Sequence, residues 1–136
     1  MEYRVKVHWG DTDAAGIVFY PNYYKWMDEA THELFSRIGY PTQQLLEEQI
    51  IIPLLETHCV FKKPVQYNVD LSVQLHVDYV KDKIFKVIYS FFLENDLVAE
   101  GYSVRAWATL GESLRAVSIP NQVRDLLLEQ KLGGGK

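Results

Sequence analysis

The sequence predicts an α+β fold in which one long helix covers an antiparallel β-sheet. Three observations support this prediction. Residues 71–79 alternate apolar and polar side chains, as a half-buried strand does, and residues 84–93 are apolar on both faces. Between Pro21 and Ile38 the apolar residues recur at helical spacing. Because the long strands are joined by short turns, we expect antiparallel pairing and one layer of helix on one layer of sheet.

The first half of the chain contains one predicted strand and the long helix. The strand covers residues 3–9 and leads into a turn bracketed by Gly10 and Gly16. The helix begins at Pro21, since proline favours the first helical position. It ends at Gly39, a residue that often follows the last helical turn. At about 1.5 Å per residue this helix is a rod of roughly 25 Å, the longest element of the chain.

The second half is mainly β-structure. A short helix is expected at residues 41–49 and a terminal one at 120–130, with Ser118 as its cap. The strand at 84–93 is apolar on both faces, which predicts a central position or cover by another subunit. The last four residues, 133–136, are expected to form a flexible tail, and residues 1–132 a single domain. The remaining strands are predicted at residues 50–52, 55–67, 71–79 and 98–110.

Composition narrows the class of protein. The 136 residues carry a net charge of −4, which provides no basic surface for nucleic acid. No apolar run approaches the roughly 20 residues of a membrane span. Cys59 is the only cysteine, so an internal disulfide is excluded and a reducing cytoplasm is compatible with the sequence. A predicted strand starts at once, leaving no room for a signal peptide. We therefore expect a cytoplasmic protein.

The segment from Trp9 to Tyr23 is the most informative part of the sequence. It places Asp11 and Asp13 on a turn directly before the long helix. A helix start offers unpaired N–H groups and a partial positive charge, and a carboxylate beside such donors can attack an acyl group. A calcium-binding loop is rejected, because Ala15 and Asn22 replace residues that would bind the ion. We therefore predict no metal site.

This segment resembles the active-site segment of the hotdog-fold acyl-CoA thioesterases, in particular the 4-hydroxybenzoyl-CoA thioesterase group. The match runs nearly position for position from Gly10 to Tyr23. The resemblance implies the hotdog fold, a curled antiparallel sheet wrapped around one central helix, and an acyl-CoA thioesterase activity. Weaker matches extend it over almost the whole chain: Phe61–Pro64 with Tyr67, Lys83–Phe85 and Leu114–Pro120.

The resemblance also implies the roles of particular residues. Asp13 is the catalytic carboxylate, and the backbone N–H of Tyr20 polarises the thioester carbonyl. Lys81 and Lys83 lie where the family has basic residues that meet the phosphates of CoA, although Asp82 between them departs from that pattern. The family forms dimers or tetramers with the active site at a subunit interface. No cofactor is expected, since the CoA thioester is the substrate.

Several alternatives stay open at this stage. Asp13 acts either as nucleophile or as general base. The acyl group is aryl or short to medium aliphatic, and an acyl-carrier-protein thioester is an alternative substrate. A hotdog dehydratase would need an acid–histidine arrangement that the helix lacks, and a non-catalytic module that interacts with an acyl carrier is a second rival. Asp11 is expected to be structural, and His32 and His58 are minor candidates for substrate contact.

Overall fold

The computed structural model describes residues 1–132, which contain a five-stranded sheet, a three-stranded sheet and three helices. The predicted tail at 133–136 lies outside the described residues. None of the three helices is long and apolar enough to cross a membrane. The helices are α1 (Pro21–Arg37), α2 (Thr42–Glu47) and α3 (Asn121–Leu128). The strands are β1 (Glu2–Lys6), β2 (Ile50–Ile51), β3 (Leu54–Phe61), β4 (Asp70–Val80), β5 (Ile84–Leu93), β6 (Asp96–Ala106), β7 (Ala108–Thr109) and β8 (Arg115–Ala116).

The large sheet is antiparallel throughout and has the order β1-β4-β5-β6-β3. β5 therefore occupies the centre, as its apolar sequence predicts, and β1 and β3 form the two edges. Consecutive strands β4, β5 and β6 are neighbours joined by short turns. In the small sheet β7 pairs with both β2 and β8. These pairings confirm the predicted antiparallel meander.

The long helix α1 lies along β5 and runs in the opposite direction to it. The ring of Tyr23, near the start of the helix, is 5.1 Å from that of Phe91, near the end of the strand. The ring of Phe35, near the end of the helix, is 5.5 Å from that of Phe85, near the start of the strand. Between these contacts the buried hydroxyl of Tyr89 bonds to Thr31 on the helix. A long helix against an antiparallel sheet is the hotdog arrangement that the resemblance implies.

The first strand is shorter than predicted. β1 ends at Lys6, and Trp9 lies in a short 3-10 turn with 72% of its surface exposed, whereas the alternating pattern placed it on the buried face. The reason is local hydrogen bonding. The side chain of Asp11 accepts the N–H of His8 at 2.8 Å, and the hydroxyl of Thr12 donates to the carbonyl of Trp9 at 2.7 Å. These bonds favour a turn over an extended chain.

Two later boundaries and one cap also differ from the prediction. β3 ends at Phe61 rather than residue 67, because the N–H groups of Lys62 and Lys63 both donate to the carbonyl of Val98 and the regular ladder stops. The strand predicted at 98–110 breaks after residue 106, and its last part joins the small sheet. Ser118 does not cap α3; Pro120 takes that position without a side-chain bond.

Candidate active site

The turn before α1 holds Asp13 in a defined position. Its N–H donates to the carbonyl of Ile17 and its own carbonyl accepts the N–H of Gly16, each at 2.9 Å. Gly16 has φ +79°, a conformation that glycine adopts without strain. The carboxylate is exposed, and its Oδ1 accepts the N–H of Ala15 at 2.8 Å. Within residues 1–132, Oδ2 accepts no hydrogen bond, so one oxygen is free to act on a ligand.

The start of α1 contributes one free backbone donor. Pro21 has no N–H, and the N–H groups of Asn22 and Tyr23 donate to the carbonyls of Phe19 and Tyr20 at 3.0 and 3.1 Å. Among the described residues, no acceptor takes the N–H of Tyr20. This donor also lies at the positive end of the helix dipole. It is therefore suited to hold an oxygen that gains negative charge.

Asp13 and Tyr20 line the same cleft, as the sequence predicts for a shared site. The cleft has a volume of about 370 Å³ and mostly apolar or aromatic walls. The N–H of Val18 donates to the carbonyl of Val65 at 2.8 Å, and this bond joins the turn that carries Asp13 to the segment after β3. The lining residues are Asp13, Ile17, Val18, Tyr20, Tyr23, Phe61, Lys62, Lys63, Pro64 and Val65.

Other candidate nucleophiles near the cleft are held protonated. Burial raises the pKa of Tyr23 to about 12, and the nearby thiol of Cys59 adds to the effect. Burial and then the charge of Glu100 raise the pKa of Cys59 to about 11. Since a thiol reacts as its thiolate, Cys59 is unreactive at neutral pH and is simply packed in the core. Asp13 is then the one carboxylate among the residues that line the cleft.

Two lysines at the cleft were not assigned a role from the sequence. Lys62 and Lys63 line it and pair with Glu100 and Asp96 at 3.3 and 3.5 Å. Their signal in the sequence is a pair of cations between a strand and Pro64. This Phe61–Pro64 segment is part of the resemblance. It lies beside Asp13 because the chain after β3 pairs with the turn that carries Asp13, and such a tertiary contact cannot be identified from the sequence.

The structure does not bring Lys81 and Lys83 to this cleft within one chain. Both are exposed on the turn between β4 and β5, next to Ile84 at the start of β5. The cleft residue Tyr23 contacts Phe91, seven positions further along that strand. At about 3.3 Å per residue the separation along β5 is roughly 23 Å. The predicted carboxylate and the predicted phosphate contacts thus lie at opposite ends of the sheet.

An ion pair between a buried arginine and a half-exposed aspartate holds the middle of α1. Arg105 on β6 is 3% exposed and donates to Asp28 at 2.6 Å and to the carbonyl of Ile52 at 2.9 Å. His32, one turn after Asp28, lies 3.4 Å from the same carboxylate. The bond to His32 and then that to Arg105 lower the pKa of Asp28 to about 2, against an opposing effect of burial. In the sequence Arg105 stands between Val104 and Ala106, and an arginine that is buried at such a position requires a partner.

Comparison with known proteins places these features in a family context. A family model described as "Thioesterase-like superfamily" matches residues 7–127. The 1,4-dihydroxy-2-naphthoyl-CoA hydrolase of Synechococcus sp. (strain WH7803) is 30% identical over 94% of this chain and 88% of its own. The 4-hydroxybenzoyl-CoA thioesterase of Pseudomonas sp. (strain CBS-3) is 29% identical over 85% and 88%. A gentisyl-coenzyme A thioesterase structure superposes with a TM-score of 0.86 and 40% identity, covering 91% of this chain and 99% of its own.

Proposed function

Since this chain belongs to the thioesterase-like superfamily, we propose that it hydrolyses the thioester between a hydroxylated aromatic acid and coenzyme A. The products are the free acid and the CoA thiol. The similar proteins support this substrate class, because their names specify 4-hydroxybenzoyl, 1,4-dihydroxy-2-naphthoyl and gentisyl thioesters of CoA. The aromatic and apolar walls of the cleft are compatible with a planar acyl group.

The observation that carries this proposal is the pairing of two free groups in one cleft. The Oδ2 atom of Asp13 and the N–H of Tyr20 are both without partners among the described residues, and both belong to residues that line the cleft. A thioester carbonyl oxygen placed at the N–H becomes more negative as the carbon is attacked. The N–H and the dipole of α1 stabilise that charge.

Asp13 supplies the second half of the reaction. Its carboxylate either attacks the carbonyl carbon, expelling the thiolate and forming an anhydride that water then opens, or removes a proton from the water that attacks. Both routes need one carboxylate oxygen beside the same carbon. A single turnover in ¹⁸O-water tests the covalent route: label in the side chain of Asp13 establishes it, because water that opens the anhydride at the aspartyl carbon leaves its oxygen there, whereas the general-base route labels the released acid alone.

We further propose that the active unit contains two copies of the chain joined through β3. This strand forms one edge of the sheet, and its outer backbone groups have no neighbouring strand in residues 1–132. Four of its apolar side chains are 42–58% exposed, which makes a long edge prone to pairing. The opposite edge, β1, is shorter and presents charged side chains. The exposed residues of β3 are Leu54, Leu55, Val60 and Phe61.

The assembly is tested by sedimentation equilibrium at micromolar concentration. We expect a species of at least twice the 15.8 kDa chain mass. Replacing Val60 by lysine adds a charge to the β3 edge and should shift the protein towards the monomer. A wild-type protein that sediments as one chain would contradict this part of the proposal.

The activity is tested by measuring thiol release from a panel of thioesters with a thiol reagent. The panel contains 4-hydroxybenzoyl-CoA, benzoyl-CoA, acetyl-CoA, octanoyl-CoA and the same aryl group on an acyl-carrier protein. We expect the aryl CoA esters to have the highest kcat/KM. Absence of thiol release from every ester would favour the non-catalytic module, and hydration of crotonyl-CoA without thiol release would favour a dehydratase.

A further inference from the structure

A single backbone carbonyl connects the turn that carries Asp13 to the start of α1. The carbonyl of Asp11 accepts two hydrogen bonds, one from the N–H of Phe19 and one from the side-chain Nδ2 of Asn22, each at 2.8 Å. Phe19 lies just before α1, and Asn22 is the second residue of the helix. One oxygen atom therefore holds the turn and the helix start against each other.

The bond from Asn22 is made to the half of the turn that carries Asp13. Antiparallel pairing of residues 11–13 with residues 17–19 makes the turn a short hairpin. The second arm, 17–19, is fixed from outside by its hydrogen bond to the segment after β3. Within residues 1–132 the first arm, 11–13, bonds only inside the hairpin, to the residues directly before it, and to Asn22. The side chain of Asn22 is therefore the direct tie between this arm and α1.

The side chain of Asn22 serves the turn and not the helix. Asparagine stabilises many helix starts by accepting an N–H of the first turn. In α1 no side chain makes such a capping bond. The amide group of Asn22 instead donates away from the helix to the carbonyl of Asp11. With the amide rotated by half a turn, two oxygens that cannot donate would face each other, so the nitrogen must be the atom that faces Asp11.

The backbone of Asn22 contacts the other half of the site. Its N–H donates to the carbonyl of Phe19 at 3.0 Å, and that carbonyl belongs to the same peptide unit as the N–H of Tyr20. Because a peptide unit is planar and trans, fixing its oxygen also fixes the direction of its N–H. We propose that Asn22 is a positioning residue, which holds the carboxylate of Asp13 at the distance from the N–H of Tyr20 that attack on the thioester requires. This inference rests on the proposed thioesterase function.

The first test removes the side-chain donor alone. Asn22→Ala keeps the backbone N–H that fixes the peptide of Tyr20 but releases the arm that carries Asp13. We expect kcat for 4-hydroxybenzoyl-CoA to fall by about tenfold or more, since a misplacement of about 1 Å can cost about a hundredfold, and KM to stay within about twofold. Asn121→Ala is the matched control, because Asn121 follows Pro120 at the start of α3 and is exposed. Unchanged kcat, or a rise in KM alone, would overturn the proposal.

The second test separates positioning from stabilisation of the helix. Asn22→Asp keeps the size of the side chain, and a carboxylate in the first turn of a helix is favourable, so the midpoint of thermal unfolding should not fall. The new oxygen cannot donate to the carbonyl of Asp11. We therefore expect kcat to fall at least as far as in Asn22→Ala. An Asn22→Asp protein with wild-type kcat would show that the side chain serves only the helix, and would contradict the assignment.

The third test shows whether Asn22 acts through Asp13. In an Asp13→Asn protein no carboxylate remains to be aligned, so adding Asn22→Ala should lower the single-turnover rate by less than about twofold. The dissociation constant of 4-hydroxybenzoyl-CoA, measured by calorimetry on the same two proteins, should also stay unchanged. A loss of rate as large as in the wild-type background, or weaker binding, would overturn the proposal. Absence of thiol release by the wild-type protein would instead refute the proposed function.

Discussion

Replacing Asp13 by asparagine should abolish most activity while preserving the fold. The new side chain has nearly the same size, and its oxygen can still accept the N–H of Ala15, which Oδ1 now accepts at 2.8 Å. The side chain is exposed, so the core is unchanged and the free energy of unfolding should change by less than about 0.5 kcal/mol. What is lost is the negative oxygen that attacks the thioester or activates water. We expect kcat to fall at least about a hundredfold, equivalent to roughly 2.7 kcal/mol of transition-state stabilisation.

The assay is steady-state thiol release from 4-hydroxybenzoyl-CoA, with urea unfolding of the same samples. Asp11→Asn is the matched control, because Asp11 lies on the same turn but uses its carboxylate on the N–H of His8 at 2.8 Å. Loss of that charge-assisted bond should lower the free energy of unfolding by about 1 kcal/mol and leave kcat within a fewfold of wild type. An Asp13→Asn protein with near-full activity, or equal losses at both positions, would refute the mechanism.

Three further changes test other parts of the structure. At Gly101 an added Cβ would overlap the backbone of β3, so Gly101→Ala should lower the free energy of unfolding by about 2 kcal/mol or more. Gly111→Ala is the control, because no atom lies within 4 Å of a Cβ at that position and the free energy of unfolding should stay unchanged. Urea titration measures both variants. The double variant Lys81→Ala/Lys83→Ala should raise the KM for a CoA ester at unchanged kcat, and this rise in KM should be smaller at high salt. The KM for a pantetheine ester, which lacks the nucleotide, should stay unchanged. Equal effects on both esters would exclude a phosphate role. The lowered pKa of Asp28 stabilises the fold above about pH 4, and this stabilisation is lost as the pH falls through about 2; thermal unfolding of Asp28→Asn should therefore depend less on pH across that window.

The sequence predicts the elements whose pattern is long and regular. The 17 residues of α1 and the bounds of β5 were predicted correctly, because burial of one helix face or of a whole strand leaves a repeated apolar signal. The turn that carries Asp13 was identified for a different reason. Its glycines, aspartates and proline each have a local conformational role, so the turn is largely encoded by its own residues.

Features that depend on distant contacts could not be predicted in the same way. The position of Trp9 is decided by the bonds of Asp11 and Thr12, which compete with a strand of suitable pattern. Lys62 lies at the cleft because the segment after β3 pairs with the turn that carries Asp13. The partners of Arg105 cannot be identified from the sequence, because they lie on α1 and beside β2, far away along the chain.

The alignment of α1 with β5 has a consequence for the order in which the chain can fold. The helix is complete at residue 37, but the strand that covers its aromatic side begins only at residue 84. β1 likewise cannot form its ladder until β4 has been made, since Glu2 pairs with Gln74. During synthesis the amphipathic helix therefore emerges well before its partners and exposes Tyr23 and Phe35 to the solvent. Such long loop closures slow folding and leave the apolar side of the helix segment uncovered until β5 has been made.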